Sequence, residues 1–383
     1  MSNFDTVIDF GSQNLRLGVY DQSSKIIYSS NIKITEVLES KNLDESLNNL
    51  IRDAEKKLST HIVDVNVLYD TSKFNFIDIS IKKYFDQPAL ISKYYKSLVE
   101  EAKFIISENN FKDQVVHIVI NNMIVDENRK LETIIEDIKI KSLILDLKFI
   151  CLKKSLINNL SNKFKQNNLN ILNIYCSSYV KSIFYKKNIA TKNKFIFLDI
   201  GYQRTSALFF NNNKFQFFNS VPIGGNNITN DISKVLKLDV NYSEDLKIKF
   251  NKEETETYFK KTNPYIEIFE NNISIDLLKQ IIEARVEEIM EIVVFKSNYI
   301  KNLKTSLKPK LVITGGGSQL FSNSHNTAIK KLISELKIID ENDTSIYEIG
   351  IDYHKSDESF LNNTKKRTRK MGFFESFFNM FSK

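Results

Sequence analysis

Two stretches of this chain carry the same turn. Thr6-Val7-Ile8-Asp9-Phe10-Gly11-Ser12-Gln13 runs into Asn14-Leu15-Arg16-Leu17-Gly18-Val19-Tyr20, and Phe195-Ile196-Phe197-Leu198-Asp199-Ile200-Gly201-Tyr202-Gln203 runs into Arg204-Thr205-Ser206-Ala207-Leu208-Phe209-Phe210. Each reads as two apolar strands joined by Asp, an apolar residue, Gly, any residue and Gln. A further strand follows each pair, over Lys25 to Ser30 and over Lys214 to Ser220. A unit that occurs twice predicts a duplicated α/β architecture: two lobes, each built on a three-strand meander, facing one another across a cleft.

That arrangement has a chemistry. An Asp at the strand end of each lobe, Asp9 and Asp199, sets two carboxylates across the cleft, a site for a hydrated divalent cation. The turns that follow expose backbone N–H groups and the hydroxyls of Ser12 and Thr205, which suit phosphate oxygens. A third element, Leu311-Val312-Ile313-Thr314-Gly315-Gly316-Gly317-Ser318, is a strand entering a glycine turn, and Asn326 to Leu336 after it reads as a helix. Consecutive glycines let backbone approach a flat ligand closely, and this chain has only 10 glycines to place.

At 383 residues the chain is long enough for two to three domains. No apolar run approaches the ~20 residues of a membrane-spanning helix, and the N-terminus lacks the basic and apolar regions of a secretory signal, so a cytoplasmic location is expected. Cys151 and Cys176 give no disulfide framework, and His61, His117, His325 and His354 lack metal-ligand spacing. Of the net charge of +7, most lies at the end, where Lys365, Lys366, Arg367, Arg369, Lys370 and Lys383 oppose Glu375 alone. A weakly charged body argues against nucleic acid as a partner.

The order of Asp9 hairpin, Asp199 hairpin and Gly315-Gly316-Gly317 turn resembles the two phosphate loops and adenosine loop of the actin-like ATPase superfamily. Three further segments closely resemble FtsA, the bacterial cell-division family: Val221-Pro222-Ile223-Gly224-Gly225-Asn226-Asn227-Ile228, Ser243-Glu244-Asp245-Leu246-Lys247, and Ile282-Glu283-Ala284-Arg285-Val286-Glu287-Glu288-Ile289. The resemblance implies a two-lobed, ribonuclease H-like actin fold with a small α+β insertion in the first lobe. It divides the chain into a first-lobe core (1–77 and 168–198), the insertion (78–167), a second-lobe core (199–225 and 305–354), an outer second-lobe subdomain (226–304), a basic linker (355–370) and a terminal helix (371–383).

Carried over residue by residue, the resemblance implies ATP and Mg²⁺ as cofactors. Asp9 and Asp199 would hold Mg²⁺ through water; Gly11, Ser12, Gln13, Asn14 and Arg16 would line the first phosphate loop, and Gly201, Gln203 and Thr205 the second. Gly224 and Gly225, Glu244 and Lys247, and Gly315, Gly316, Gly317 and Ser318 would surround the nucleoside. Glu244 and Lys247 lie one helical turn apart and so face the same side; without the resemblance such a pair is an ordinary helix-surface pair. Two departures bear on turnover. Asn14 stands where the family usually has Lys, and Tyr202, Gln203 and Arg204 add bulk where its second loop has small residues. Gln203 is the one candidate for positioning a water, so ATP binding with weak or no hydrolysis is expected. The outer subdomain would bind the C-terminal peptide of FtsZ, with Arg285 and Glu288 at that surface or, equally, a helix-surface pair.

The last residues put Phe373, Phe374, Phe377, Phe378 and Phe381 at helical spacing, after a basic cluster of Lys366, Arg367, Arg369 and Lys370. One aromatic face beside one polar face, preceded by basic residues, is the composition of an amphipathic helix lying on anionic lipid. Half-burying five Phe side chains contributes on the order of 4 to 7 kcal/mol, against a helix-ordering cost on the order of 12 kcal/mol before hydrogen bonds. A single tail is then a marginal anchor, and a polymer of tails binds by avidity. The implied protein polymerises head to tail on the cytoplasmic face of the inner membrane at the division site, tethers FtsZ filaments there and meets downstream divisome proteins. The rival readings are another actin-like filament or pilus-assembly ATPase, and a sugar kinase or exopolyphosphatase of the same superfold.

Overall fold

The computed structural model describes residues 4–34, 41–131, 138–188, 194–212, 214–252, 275–296, 308–321, 333–339 and 346–356. The terminal aromatic helix and basic linker of the sequence reading lie outside these residues, apart from 355–356.

Both hairpins form where the repeated pattern puts them. In the first lobe β1 (Phe4–Phe10) and β2 (Asn14–Asp21) pair antiparallel, β3 (Ile26–Lys33) continues the meander, and β4 (Asp64–Tyr69) and β9 (Asn170–Cys176) add in parallel, in the order β3-β2-β1-β4-β9. In the second lobe β10 (Phe195–Ile200), β11 (Thr205–Asn211), β12 (Lys214–Val221), β13 (Lys310–Thr314) and β14 (Glu335–Ile338) reproduce it as β12-β11-β10-β13-β14. The correspondence extends to the turns: Gly11 N–H donates to the Asn14 carbonyl at 3.1 Å, and Gly201 N–H to the Arg204 carbonyl at 2.8 Å. Leu336 therefore belongs to a strand, contrary to the helix expected from Asn326 onward. Its strand pairs in parallel beside β13, where chain periodicity over so short a run could not tell strand from helix.

Helices cover these sheets because their apolar residues recur at helical spacing. On α1 (Lys41–Leu58), Leu43, Leu47, Leu50, Ile51 and Ala54 are buried in the first-lobe core. Each leucine so placed contributes about 1.5–3 kcal/mol. Between β4 and β9 the chain departs into an antiparallel sheet of β5 (Asn75–Leu90), β8 (Lys139–Lys153), β6 (Asp113–Val125) and β7 (Arg129–Leu131), covered by α2 (Ile91–Asn109). This sheet has its own core, in which Leu98, Val99, Ala102 and Ile106 of α2 meet Leu143, Leu145 and Phe149 of β8. On α3 (Lys154–Gln166), Ile157, Leu160 and Phe164 pack into the first-lobe core.

Among the described residues the chain changes lobe twice. It passes to the second lobe after α4 (Ser177–Asn188) and returns after β14 to a last described helix, α8 (346–356). Chain order groups 305–354 with the second lobe, but Tyr347, Ile349 and Ile351 of α8 lie in the core that contains β1, β2 and β4. The approach is close: a Cβ on Gly350 would come within 2.7 Å of Val7, and one on Gly18 within 3.1 Å of Tyr347. Tyr347 also donates its hydroxyl to the Ser30 carbonyl at 2.8 Å. The second lobe's other face is covered by α5 (Gly225–Leu236), α6 (Val240–Lys252) and α7 (Ile275–Met290).

Candidate functional site

The strand ends of β1 and β10 bring Asp9 and Asp199 to matching positions, each buried, at the carboxyl ends of central strands where α/β sheets bind ligands. Each carboxylate meets a protein cation. Arg16 stands opposite Asp9 in the hairpin register and donates to its Oδ2 at 2.9 Å. Asp199 is met from the other lobe: Lys181 Nζ of α4 donates to its Oδ1 and Oδ2 at 3.4 and 3.2 Å, both side chains being 9% exposed.

A second bond joins the lobes beside this one. Asp70, just past β4, receives Arg204 Nε at 3.3 Å, while Arg204 Nη2 donates to the Asp70 carbonyl at 2.6 Å. Ser178 of α4 and Ser206 of β11 also donate to its carboxylate, each at 3.3 Å. Arg204, which read in the sequence as bulk in the second phosphate loop, thus binds the opposite lobe. Asp70, Ser178 and Lys181 escaped the sequence reading. Asp70 had a signal, a third Asp ending an apolar strand, whereas Lys181 sits in a helix with nothing to set it apart from its neighbouring lysines.

The turn after β10 rests on the start of α5. Gly225 N–H donates to the Gly201 carbonyl at 2.9 Å and Asn226 N–H to the Tyr202 carbonyl at 2.7 Å. A Cβ on Gly224 would fall 2.4 Å from Gly201 O, so glycine is required for this contact. Thr205 is fully buried and its hydroxyl donates to the Ile223 carbonyl at 2.7 Å. Gly11, Ser12, Gln13 and Asn14 form the first turn, and Gln203 lies in the second. Glu244 and Lys247 do share a face of α6: Lys247 Nζ donates to Glu244 Oε2 at 2.6 Å, to Thr229 Oγ1 at 2.8 Å and to the Gly225 carbonyl at 3.1 Å. Thr229 donates to the same Glu244 oxygen. Burial pushes the Lys247 ammonium below its ordinary pKa, with Glu244 opposing, and the Tyr202 ring lies 5.7 Å from Nζ.

The glycine turn after β13 forms a cradle. Gly315 has φ +87°, and a Cβ there would meet Ile200 O at 2.5 Å and Asp199 Oδ1 at 2.6 Å; one on Gly317 would meet Ile200 Cγ2 at 2.6 Å. Among the described residues nothing lies within 4 Å of a Cβ position on Gly316. Backbone held this tightly behind and open in front fits a flat ligand such as a nucleoside. The two carboxylates fit a divalent cation poorly. Unit charges 4 Å apart interact by about 4 kcal/mol at an effective dielectric of ~20, and a dication doubles that. A metal held by Asp199 would meet this repulsion from Lys181. Among the described residues no group of three or more His, Cys, Asp or Glu side chains is placed to hold a metal ion.

Arg285 and Glu288 lie together on α7. Arg285 grips Asp231 of α5 through Nε at 2.6 Å and Nη2 at 2.9 Å, and its Nη1 donates to Glu288. The hydrogen bonds that Arg285 donates to Asp231 hold the guanidinium pKa above its usual value. This guanidinium pins two helices of the outer second lobe.

The family model described as "Cell division protein FtsA" matches residues 196–338, the second lobe almost from end to end. The second lobe is FtsA-like. A curated relative, the cell division protein FtsA of Buchnera aphidicola subsp. Baizongia pistaciae (strain Bp), is 30% identical over 145 residues, covering 33% of this chain and 33% of the relative. The match thus spans a third of that protein's length. Among solved structures, the PilM-PilN type IV pilus biogenesis complex shares the fold over 90% of this chain and 94% of that one, at a TM-score of 0.60 and 12% identity. The chain has the actin-like ATPase fold. MreB 5 of Spiroplasma citri, solved bound to AMPPNP, aligns over 95% of this chain and 99% of that one, at a TM-score of 0.49 and 11% identity. No described helix is long and apolar enough to cross a membrane.

Proposed function

We propose that this chain is an FtsA-like division protein: it binds ATP between its lobes, assembles into filaments, and links FtsZ to anionic membrane through its terminal residues. The observation that carries the reading is the FtsA match across the second lobe, set in an actin-like fold that repeats the Asp hairpin in both lobes. The nucleoside would lie on Gly315–Ser318, with its phosphates toward the turns at Gly11–Asn14 and Gly201–Arg204. Bound there, ATP would act as a bridge between lobes already joined by Lys181–Asp199 and Arg204–Asp70. Tyr202 and the internally bonded Thr205 support binding with little turnover. The outer second-lobe subdomain (226–304) would receive the FtsZ peptide, the insertion sheet would face downstream divisome proteins, and the basic and aromatic residues 366–381 would hold lipid.

The test is recruitment of labelled FtsZ to anionic liposomes, with ATP, by the full chain and by a truncation ending at Thr364. Recruitment lost on truncation is expected. Liposome binding by the full chain that leaves FtsZ in solution would refute the partner and favour another actin-like filament or a pilus-assembly ATPase, which shares the fold alone.

A further inference from the structure

Among the described residues, three carboxylates at strand ends, Asp9, Asp199 and Asp70, are each met by a cation: Arg16, Lys181 and Arg204. Lys181 is the most telling. It reaches a carboxylate of the second lobe from α4, whose Tyr179 and Tyr185 pack on Phe215 and Phe197 of that lobe within the core they share with β1 and β2. It contacts both oxygens of Asp199, and both side chains are nearly excluded from solvent. The far side of the same carboxylate is closed by the glycine turn, since a Cβ on Gly315 would lie 2.6 Å from Oδ1. Asp199 is therefore held between a tethered ammonium and the backbone that would carry the nucleoside.

We propose that Lys181 is the built-in cation of this cleft, occupying Asp199 in the place of a divalent metal, so that nucleotide binds without Mg²⁺. This rests on the nucleotide reading above. A tethered ammonium supplies positive charge opposite a polyanion, is ordered before the ligand arrives, and cannot be removed by a chelator.

A fluorescent ATP analogue titrated into the full chain in EDTA, and again in excess Mg²⁺, tests this. The wild-type dissociation constants are expected to agree within about twofold, and Lys181→Met to bind at least ~tenfold more weakly in EDTA, with Mg²⁺ restoring affinity and Lys181→Arg retaining it in EDTA. Wild-type binding at least ~tenfold weaker in EDTA would overturn the proposal and leave nucleotide binding intact. Lys181→Met binding as tightly as wild type in EDTA would also overturn it. No binding in either buffer would refute the nucleotide reading and this proposal with it. Should Lys181→Met fail to fold, the two wild-type titrations still decide the matter.

Discussion

Lowering the pH from about 7 to about 5 should cost this fold roughly 2 kcal/mol through His117 alone. This side chain, on β6, joins the insertion to the first lobe. Its Nε2 accepts the Cys176 N–H at 2.8 Å, which leaves the proton on Nδ1 to donate to Tyr353 Oη of α8 at 2.8 Å. The rings of Tyr175, Tyr179 and Tyr353 surround it at 5.7, 5.0 and 5.3 Å. A protonated imidazole would lose the acceptor that Cys176 needs and would be charged in an apolar site, so burial pushes its pKa from 6.5 down to about 3. Because the folded value is the lower one, the unfolded chain takes up the proton first. The stabilisation is complete above the unfolded pKa and is lost as pH falls from about 6.5 toward about 3. At pH 5 the unfolded state gains about 1.4 kcal/mol for each of roughly one and a half pH units, or about 2 kcal/mol. Urea unfolding followed by tyrosine fluorescence and circular dichroism at both pH values should show that loss in the wild type. His117→Leu should be less stable at pH 7 yet lose about 2 kcal/mol less on acidification. Equal losses in the two proteins would refute the reasoning.

Two further outcomes follow from the packing. Gly315→Ala should destabilise the fold by at least ~2 kcal/mol, because it combines a positive φ with contacts inside 3.0 Å, whereas Gly316→Ala should change stability by less than ~0.5 kcal/mol; thermal melts of the pair, measured side by side, check the contrast. Arg285→Ala should cost about 1–3 kcal/mol by releasing α7 from α5, and Arg285→Lys should recover little of it since an ammonium cannot reproduce the two-pronged contact with Asp231; melts that restore wild-type stability with Lys would remove this account.

The repeated hairpin made the lobes legible because its pattern is local: an apolar strand, an Asp-x-Gly turn and another apolar strand announce themselves within twenty residues. The glycines at 224, 225 and 315–317 were legible for the same reason, since each serves a turn or a close approach. What stayed hidden is made by distant segments meeting. Lys181 finds Asp199, and Asp70 finds Arg204, only once two lobes face each other, and no helical or strand period marks such a partner. The return of 346–356 to the first lobe was hidden likewise, because chain order places it after the second. Leu336 read as helical because a four-residue strand carries too few positions to display its period.

The two passages of the chain between lobes, after α4 and after β14, have a mechanical meaning. Between them lies apolar surface shared by both lobes: Phe195, Phe197, Phe210 and Phe215 of the second lobe lie in one core with β1, β2 and α4, where Tyr179 meets Phe215 and Tyr185 meets Phe197. Parting the lobes would wet those rings and break the Lys181–Asp199 and Arg204–Asp70 pairs in the same movement, so the cleft opens against one cooperative resistance.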